Sequence, residues 1–196
     1  AGNYEIKTEN GTLTVNPVAD KVTVTITEHS DTVTYDGTEH KVTGYDVAIS
    51  NPLYKEGDFE FNGTAEVKGT DAGTYDMELK AADFKNTSKN FKNVEFVIVD
   101  GTLEISKRNV TLTSANAEKV YDGKPLTKNE VTASGDGFVG SEGATYDVTG
   151  SQTVVGSSDN TFTYTLNSNT KAGNYEIKTE NGTLTVNPVA DKVTVT

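Results

Sequence analysis

The chain has 196 residues, 29 acidic and 17 basic side chains for a net charge of −12, and no cysteine. This acidic balance argues against a nucleic-acid binder, which must neutralise phosphates, and the lack of cysteine excludes disulfides and thiolate chemistry. No run of about 18 apolar residues is present that could insert into a membrane. With 34% hydrophobic residues, the chain can bury two cores, and we expect two domains of about 80–90 residues.

The first feature along the chain is a repeated stretch. Residues 1–25 recur without substitution as residues 172–196, which is an offset of 171 residues. This identity indicates a tandem array with a period of 171, seen here as one period plus a 25-residue overlap from a longer chain. Within the stretch, "YEIKTENGTLTV" predicts a hairpin with its turn at Asn181-Gly182, because Asn-Gly favours tight hairpin turns.

Alternation of β-branched residues with polar ones predicts strands along most of the chain. The clearest are "VTVTIT" (Val22 to Thr27), "FEF" (Phe59 to Phe61), "TFTYTL" (Thr161 to Leu166) and "TLTV" (Thr183 to Val186). Helical periodicity is weak, and only the segment Leu79 to Val94 could hold a turn or two of helix. The pattern therefore predicts an all-β chain.

A second, diverged repeat lies inside the 171-residue period. Three glycine landmarks recur in the same order at offsets of 86, 83 and 81 residues: Gly37 with Gly123, Gly73 with Gly156, and Gly101 with Gly182. We expect domain A at 20–107 and domain B at 108–187, joined by the short segments Ser106 to Asn109 and Asn187 to Lys192. Residues 1–19 would then be the closing hairpin of a preceding B-type domain, and residues 188–196 the opening strand of a following A-type domain. The predicted fold is two tandem Ig-like β-sandwich domains per repeat, with β-grasp-like modules as the alternative.

The order "YDG", "VGSSDNTF" and "GNYEI…NGTLTV" resembles the MBG/YDG-type repeat domains of bacterial cell-surface adhesins. The resemblance is closer over domain B than over domain A. It implies an extracellular location, in a large wall-attached or secreted protein, and the family name refers to mucin binding. The shared motifs are turns and strands, so the resemblance implies fold and context rather than a ligand site.

The Tyr-Asp-Gly turns, Tyr35-Asp36-Gly37 and Tyr121-Asp122-Gly123, are the candidate functional residues. Turn chemistry alone explains the Asp-Gly pairs, with each tyrosine ring packed at a domain edge. The functional interpretation is a ligand or interdomain contact through Tyr35, Asp36, Tyr121 and Asp122.

Other motifs do not indicate a metal, a cofactor or a catalytic site. His29 and His40 have no counterparts in domain B, and we expect both to be surface residues. The glycine-rich loop Ser134 to Gly143 carries Asp136 and Glu142, which are too few oxygen ligands for Ca²⁺, so a solvated connection is expected. No phosphate-binding loop is present, and long arrays of identical copies are unusual for enzymes, so we expect no catalytic activity.

Two functions remain open from the sequence. The first is a structural stalk whose neighbouring identical repeats hold an adhesive tip away from the cell. The second is a module that binds mucin or another host glycan weakly, with many copies adding avidity. Neither requires nucleic acid or membrane insertion of this segment.

Overall fold

A computed structural model describes residues 2–190 of the chain. Over that range the regular structure is β-strand, apart from three short 3-10 turns at Glu56–Asp58, Ala81–Asp83 and Ala172–Asn174. The all-β prediction is confirmed. The strands, in chain order, are β1 Val22–Glu28, β2 Asp31–Thr34, β3 His40–Thr43, β4 Tyr45–Ile49, β5 Phe59–Phe61, β6 Glu66–Gly69, β7 Gly73–Asp76, β8 Phe84–Asn86, β9 Val94–Val99, β10 Thr102–Ser106, β11 Arg108–Ser114, β12 Ala117–Val120, β13 Val131–Gly135, β14 Ala144–Val148, β15 Gly156–Asn160, β16 Phe162–Leu166, β17 Tyr175–Glu180 and β18 Gly182–Asn187.

The strands form where alternation predicts them. In β1, the side chains of Val22, Val24 and Ile26 are fully buried, while the intervening threonines are partly exposed. All four clearest sequence patterns correspond to strands: β1, β5, β16 and β18. The helix considered between Leu79 and Val94 is limited to the turn Ala81–Asp83. Within the described residues nothing therefore supports the β-grasp alternative, which needs a helix across a sheet.

The first of two compact units comprises the residues up to His29, Thr43–Glu66 and Met77–Gly101. Its three-stranded sheet has the order β4-β1-β9, with β1 antiparallel to β4 and parallel to β9, and β5 pairs with β8. An aromatic cluster fills its core: Phe61 stacks on Phe84 with ring centroids 4.8 Å apart, and Tyr45 meets Phe61 edge-on at 5.3 Å. Each such pair contributes about 0.5–1.5 kcal/mol beyond area burial.

A buried carboxylate holds the end of β1 in this unit. Glu28 is only 3% exposed, and its two oxygens accept hydrogen bonds from the backbone N–H groups of Leu79 and Gly101, each at 2.8 Å. A charge removed from water needs such donors to offset its desolvation. Glu28 therefore fixes the chain where it leaves β9.

The second compact unit comprises Ser30–Val42, Val67–Asp76 and the residues from Thr102 on. Its three-stranded sheets have the orders β2-β10-β7, β13-β11-β17 and β12-β18-β15, and β14 pairs with β16. Leu103, Ile105, Leu112, Leu184 and Val186 are each at most 2% exposed and form much of its core.

The strand-pairing pattern occurs twice along the chain. The order β4-β1-β9 matches β13-β11-β17, and β2-β10-β7 matches β12-β18-β15. The registers agree: Ile105 faces Gly73 in the earlier set, and Val186 faces Gly156 in the later one. The duplication inferred from the glycine landmarks therefore also appears in the pairing of the strands. The boundaries 20–107 and 108–187 remain a prediction.

The predicted hairpin at Asn181-Gly182 is wrong. Strands β17 and β18 belong to different sheets: β17 pairs with β11, whereas β18 lies between β12 and β15. Gly182 does not have a positive φ, and a Cβ at this position would lie 2.3 Å from the Ser114 carbonyl oxygen. The glycine is needed because the backbone passes another strand closely as it crosses between sheets. Gly101, in the first unit, is also constrained, with its Cβ position 2.3 Å from the His29 carbonyl oxygen.

The assignment of residues 1–19 to the closing hairpin of a preceding B-type domain stays a prediction. Residues 2–17 form no strand, Val18 makes an isolated bridge with Phe91, and residues 2–16 are exposed. In the second copy of the stretch, β17 and β18 pair with strands from residues 108–160. Most of the predicted strand at 188–196 lies outside the described residues, and residues 188–190 are not in a strand.

Candidate functional site

Both Tyr-Asp-Gly turns are built by local backbone chemistry. Gly37 and Gly123 have φ of +79° and +77°, a conformation that residues with a Cβ rarely adopt. The Asp36 Oδ1 atom accepts a hydrogen bond from the Thr38 N–H at 2.9 Å, and Asp122 Oδ1 accepts one from the Lys124 N–H at 3.0 Å. An aspartate that bonds to the backbone two residues on is a typical turn-former.

The two aspartates are engaged by neighbouring residues. The hydroxyl and N–H of Thr38, and then His40 with its Nε2 atom 2.9 Å from Oδ1, lower the pKa of Asp36 to about 2. The Lys119 ammonium, 2.6 Å from Asp122 Oδ1, and the Lys124 N–H lower the pKa of Asp122. Both carboxylates therefore stay ionised near neutral pH, and each stabilises the turn in which it lies.

The two tyrosines have different environments. Tyr35 is only 4% exposed, whereas Tyr121 is 43% exposed. Their backbones are equivalent, because the Tyr35 N–H donates to the Ser106 carbonyl at 2.9 Å and the Tyr121 N–H donates to the Asn187 carbonyl at 2.8 Å. The structure brings Tyr35 into a polar cluster and leaves Tyr121 at the surface.

The Glu142 cluster, formed by Tyr35, Glu142 and Tyr175, lies in the second unit. The Tyr35 hydroxyl donates to Glu142 Oε1 at 2.7 Å, and the Tyr175 hydroxyl donates to Oε2 at 2.5 Å. The two rings meet edge-on with centroids 5.6 Å apart. The Tyr175 hydroxyl also accepts a hydrogen bond from the Val139 N–H at 3.0 Å. One carboxylate thus joins two tyrosines that are distant in the sequence.

Burial and Glu142 change the acidity of both tyrosines. Loss of solvent and the hydrogen bond to the carboxylate raise the pKa of Tyr175 to about 12. The same two causes raise the pKa of Tyr35. Both hydroxyls therefore remain protonated donors at neutral pH, and neither is suited to act as a base.

A second set of contacts lies in the same unit around Asp71. Its carboxylate accepts hydrogen bonds from Lys171 Nζ at 2.7 Å and from Asn174 Nδ2 at 3.0 Å. Asn174 is 1% exposed, and its Oδ1 accepts a hydrogen bond from the Ala72 N–H at 2.8 Å. These contacts lower the pKa of Asp71, with Lys171 as the largest cause. The sequence had no pattern that would have identified Asp71, Lys171 or Asn174.

The loop from Ser134 to Gly143 is less solvated than expected. Glu142 is held by the two tyrosines, and Asp136 Oδ2 accepts a hydrogen bond from the Asn109 N–H at 3.0 Å. The two carboxylates that had suggested a comparison with Ca²⁺ loops thus bind different partners. Among residues 2–190, no group of three or more histidine or acidic side chains is placed to hold a metal ion.

The two histidines lie at the surface with polar partners. The imidazole of His29 is 2.9 Å from the Thr43 carbonyl and 3.3 Å from Asp46, and these contacts raise its pKa. His40 instead contacts Asp36, as described above.

Two shallow grooves occur in the second unit. One, of about 400 Å³, is lined by polar residues that include Glu104, Lys107, Asn109 and Glu176. The other, of about 460 Å³, is lined by Asn116, Ala117, Glu118, Thr183 and Thr185. No aromatic side chain lines either groove, so neither offers a stacking platform for a sugar ring.

None of the described residues belongs to a helix long and apolar enough to cross a membrane.

Comparison with known proteins identifies one segment. Residues 21–107 match the family model described as the MBG domain. This match confirms the resemblance drawn from the sequence. The matched residues correspond to the predicted domain A, over which the resemblance was weaker than over domain B. No curated protein and no solved structure gives a significant match.

Proposed function

Because residues 21–107 carry an MBG domain, a non-catalytic repeat module typical of surface proteins, we propose that this chain is a structural spacer. It is a stalk repeat of a long tandem-repeat bacterial adhesin, and it projects a binding tip from the cell. The observation that carries the proposal is the unchanged recurrence of residues 1–25 at residues 172–196. Unchanged copies suit a function in which reach depends on copy number.

A stalk needs stiff joints, and the joint between the predicted domains is short. Strand β10 ends at Ser106 and β11 begins at Arg108, so one residue separates them. The Arg108 guanidinium donates to the carbonyl oxygens of Asp136 at 2.6 Å, Gly137 at 2.8 Å and Tyr35 at 3.3 Å. The Glu142 cluster adds two tyrosine hydroxyls on one carboxylate beside this joint. These contacts oppose bending at residues 106–108.

The chemistry of the surface is in keeping with an extracellular stalk. The net charge of −12 keeps neighbouring arrays apart and soluble. The partners of such a repeat are its identical neighbours in the same chain, without a cofactor, nucleic acid or membrane insertion of this segment. The proposed location is the bacterial cell surface, on a wall-attached or secreted protein.

Small-angle X-ray scattering from chains of one, two and three periods tests the stalk. The maximum dimension should rise by the same amount with each added period, about 70–80 Å on the rise of extended strands. A maximum dimension that grows only as the cube root of the mass, as for one compact body, contradicts the proposal.

The alternative, a repeated low-affinity mucin or glycan-binding module, is favoured by one observation: Tyr121 exposes 43% of its surface beside the ionised Asp122. An exposed ring next to a carboxylate is a common way to contact sugars. A glycan array and immobilised mucin, probed with the chain and with Tyr121→Ala, test this function. Binding that the substitution abolishes supports the module, and Tyr35→Ala is an unsuitable probe because Tyr35 is buried.

A further inference from the structure

The Tyr35 turn of predicted domain A is covered by side chains of predicted domain B, and we call this contact the first joint. Glu142 accepts a hydrogen bond from the Tyr35 hydroxyl at 2.7 Å, and Asn174 Oδ1 accepts one from the Ala72 N–H at 2.8 Å. Val139 lies against the turn, with its Cγ1 atom 3.0 Å from the position of a Cβ on the turn glycine. All of these residues belong to the second compact unit.

The covered half of the first joint recurs at the end of predicted domain B. Tyr121 corresponds to Tyr35 by its turn and its backbone hydrogen bond. Val155 corresponds to Ala72, because each precedes a glycine that pairs with the equivalent core strand. Tyr121 and Val155 are 43% and 51% exposed, so this second surface has the same plan and is uncovered.

The covering half of the first joint recurs in predicted domain A. Strands β4 and β13 pair with β1 and β11 in the same register, and they end 86 residues apart. The same offset, without a gap, places Glu56 at the position of Glu142, and a glycine follows each of them. It also places Leu53 at the position of Val139. Glu56 is exposed, and Leu53 is 71% exposed.

Asn93 is the counterpart of Asn174. Each directly precedes the first residue of an equivalent strand, β9 or β17, and these strands pair in parallel with β1 and β11 in the same register. Asn174 is 1% exposed in the first joint, whereas Asn93 is exposed. The tyrosine, the glutamate and the asparagine that form the hydrogen bonds of the first joint thus all recur at equivalent positions.

We propose that the surface around Tyr121 is covered, in the array, by the following copy of the repeat, which presents Glu56 and Asn93 to it. In this second joint the Tyr121 hydroxyl donates a hydrogen bond to Glu56. The Val155 N–H donates to Oδ1 of Asn93, and Leu53 packs on the Tyr-Asp-Gly turn. Recurring contacts between nearest neighbours are the way in which tandem repeats stack.

The second joint is more apolar than the first. Asp71, which binds Lys171 in the first joint, corresponds to Val154, which is 65% exposed. Val155 and Leu53 stand where the first joint has an alanine and a valine. These exchanges enlarge the apolar area on both facing surfaces, so burying one against the other is favourable.

The link between consecutive periods is longer than the link at the first joint. One residue separates β10 from β11, whereas the five residues 188–192 lie between the end of β18 and the position at which β1 begins in the repeated sequence. A link of five residues does not fix an orientation by itself, so the side-chain contacts must hold the second joint together.

This inference rests on the proposed function, because it needs consecutive copies in one chain. The two can fail separately, since scattering measures how length grows with copy number and the experiment below measures contacts at one joint. The second joint would also cover Tyr121 in each copy that another copy follows, which removes that ring from contact with sugars.

Amide hydrogen exchange in a chain of two periods tests the second joint. In that chain a complete copy follows Val155 of the first copy, and none follows Val155 of the second. Segmental isotope labelling allows NMR to measure the two amides separately. We expect the Val155 N–H of the first copy to exchange at least about fivefold more slowly, because its hydrogen bond to Asn93 must open first.

The copy that carries a substitution provides the matched control. Asn93→Ala in the second copy should remove the difference between the two amides, and Asn93→Ala in the first copy should leave it unchanged. Both residues at risk are exposed in the single repeat, so urea unfolding of a one-period chain should be unchanged by Asn93→Ala or Leu53→Asp. Equal exchange at the two Val155 positions, or a difference that survives Asn93→Ala in the second copy, contradicts the second joint.

A second measurement on the same chain does not depend on a hydrogen bond. A soluble paramagnetic probe broadens the NMR signals of exposed tyrosine rings, so Tyr121 of the second copy should broaden and Tyr121 of the first copy should be shielded. Leu53→Asp in the second copy should remove the shielding, and Leu53→Asp in the first copy should not. Equal broadening of both rings in the parent chain, or shielding that persists with Leu53→Asp in the second copy, would overturn the inference.

Discussion

Replacing Gly182 by alanine tests why a glycine is required at this position. The structure explains it by the close approach of another backbone where the chain crosses between sheets, and the sequence pattern explained it by a hairpin turn. A Cβ there would lie 2.3 Å from the Ser114 carbonyl oxygen and 2.7 Å from the Ala115 carbonyl group. An ordinary contact needs about 3.4 Å, so one backbone must move by roughly 1 Å, which breaks the 2.9 Å hydrogen bond from the Gly182 N–H to Ser114 Oγ. Overpacking costs about 1–3 kcal/mol and the lost hydrogen bond about 1 kcal/mol. We therefore expect Gly182→Ala to lower the free energy of unfolding by about 2–4 kcal/mol.

The chain supplies a matched control, because Gly11 has the same neighbours in sequence and nothing within 4 Å of its Cβ position. Gly11→Ala should change the free energy of unfolding by less than about 0.5 kcal/mol. Urea unfolding, followed by circular dichroism, measures both variants. Gly182→Asn separates the two explanations further, since asparagine tolerates positive φ but still carries a Cβ. The reasoning is refuted if Gly182→Ala unfolds at the same urea concentration as Gly11→Ala, or if Gly182→Asn is as stable as the parent chain.

Three further predictions concern packing and titration. Leu184→Ala should cost about 2–5 kcal/mol because Leu184 is fully buried, and Leu13→Ala, at an exposed site, should cost almost nothing in the same urea titration. The pKa of Tyr175 is raised to about 12, so its contribution to stability is complete below about pH 10 and is lost as the pH rises towards 12; Tyr175→Phe should reduce the loss of stability over this range, and Tyr4→Phe should leave it unchanged. The pKa of Asp36 is lowered to about 2, so its contribution is present above about pH 4 and lost as the pH falls towards 2; a carboxyl midpoint near 4 by NMR would contradict this.

The strands and their buried faces could be predicted from the sequence because alternation is a local signal. In β1, the positions predicted to face the core are Val22, Val24 and Ile26, and all three are fully buried. The two Tyr-Asp-Gly turns were predictable for the same reason, since an aspartate and a glycine determine each turn within three residues.

The pairing of the strands was not predictable from the same signals. Asn-Gly is typical of a hairpin turn, but at Gly182 the glycine is required by a close backbone approach from Ser114, which is 68 residues away. Sequence periodicity carries no information on such a distant contact. The repeated stretch makes the limit explicit, because Leu13 and Leu184 share their local sequence and differ completely in exposure.

The positions of the two Tyr-Asp-Gly turns were predictable, but the environments of their tyrosines were not. Tyr35 and Tyr121 follow the same pattern, yet only Tyr35 meets a carboxylate, and that carboxylate belongs to Glu142 in a loop expected to be solvated. The contact joins residues 107 positions apart. What packs on each turn depends on residues far away in the sequence, which the motif itself does not encode.

The central claim, that identical copies form a stiff line, can be tested on a chain of two periods. Cysteine is absent from the sequence, so spin labels can be placed at the exposed Glu118 position of both copies alone. Pulsed electron spin resonance then measures the distance between the two labels. A stiff array predicts one narrow peak at about 70–80 Å. A broad distribution that extends to short distances would show a flexible or collapsed chain and would contradict the account.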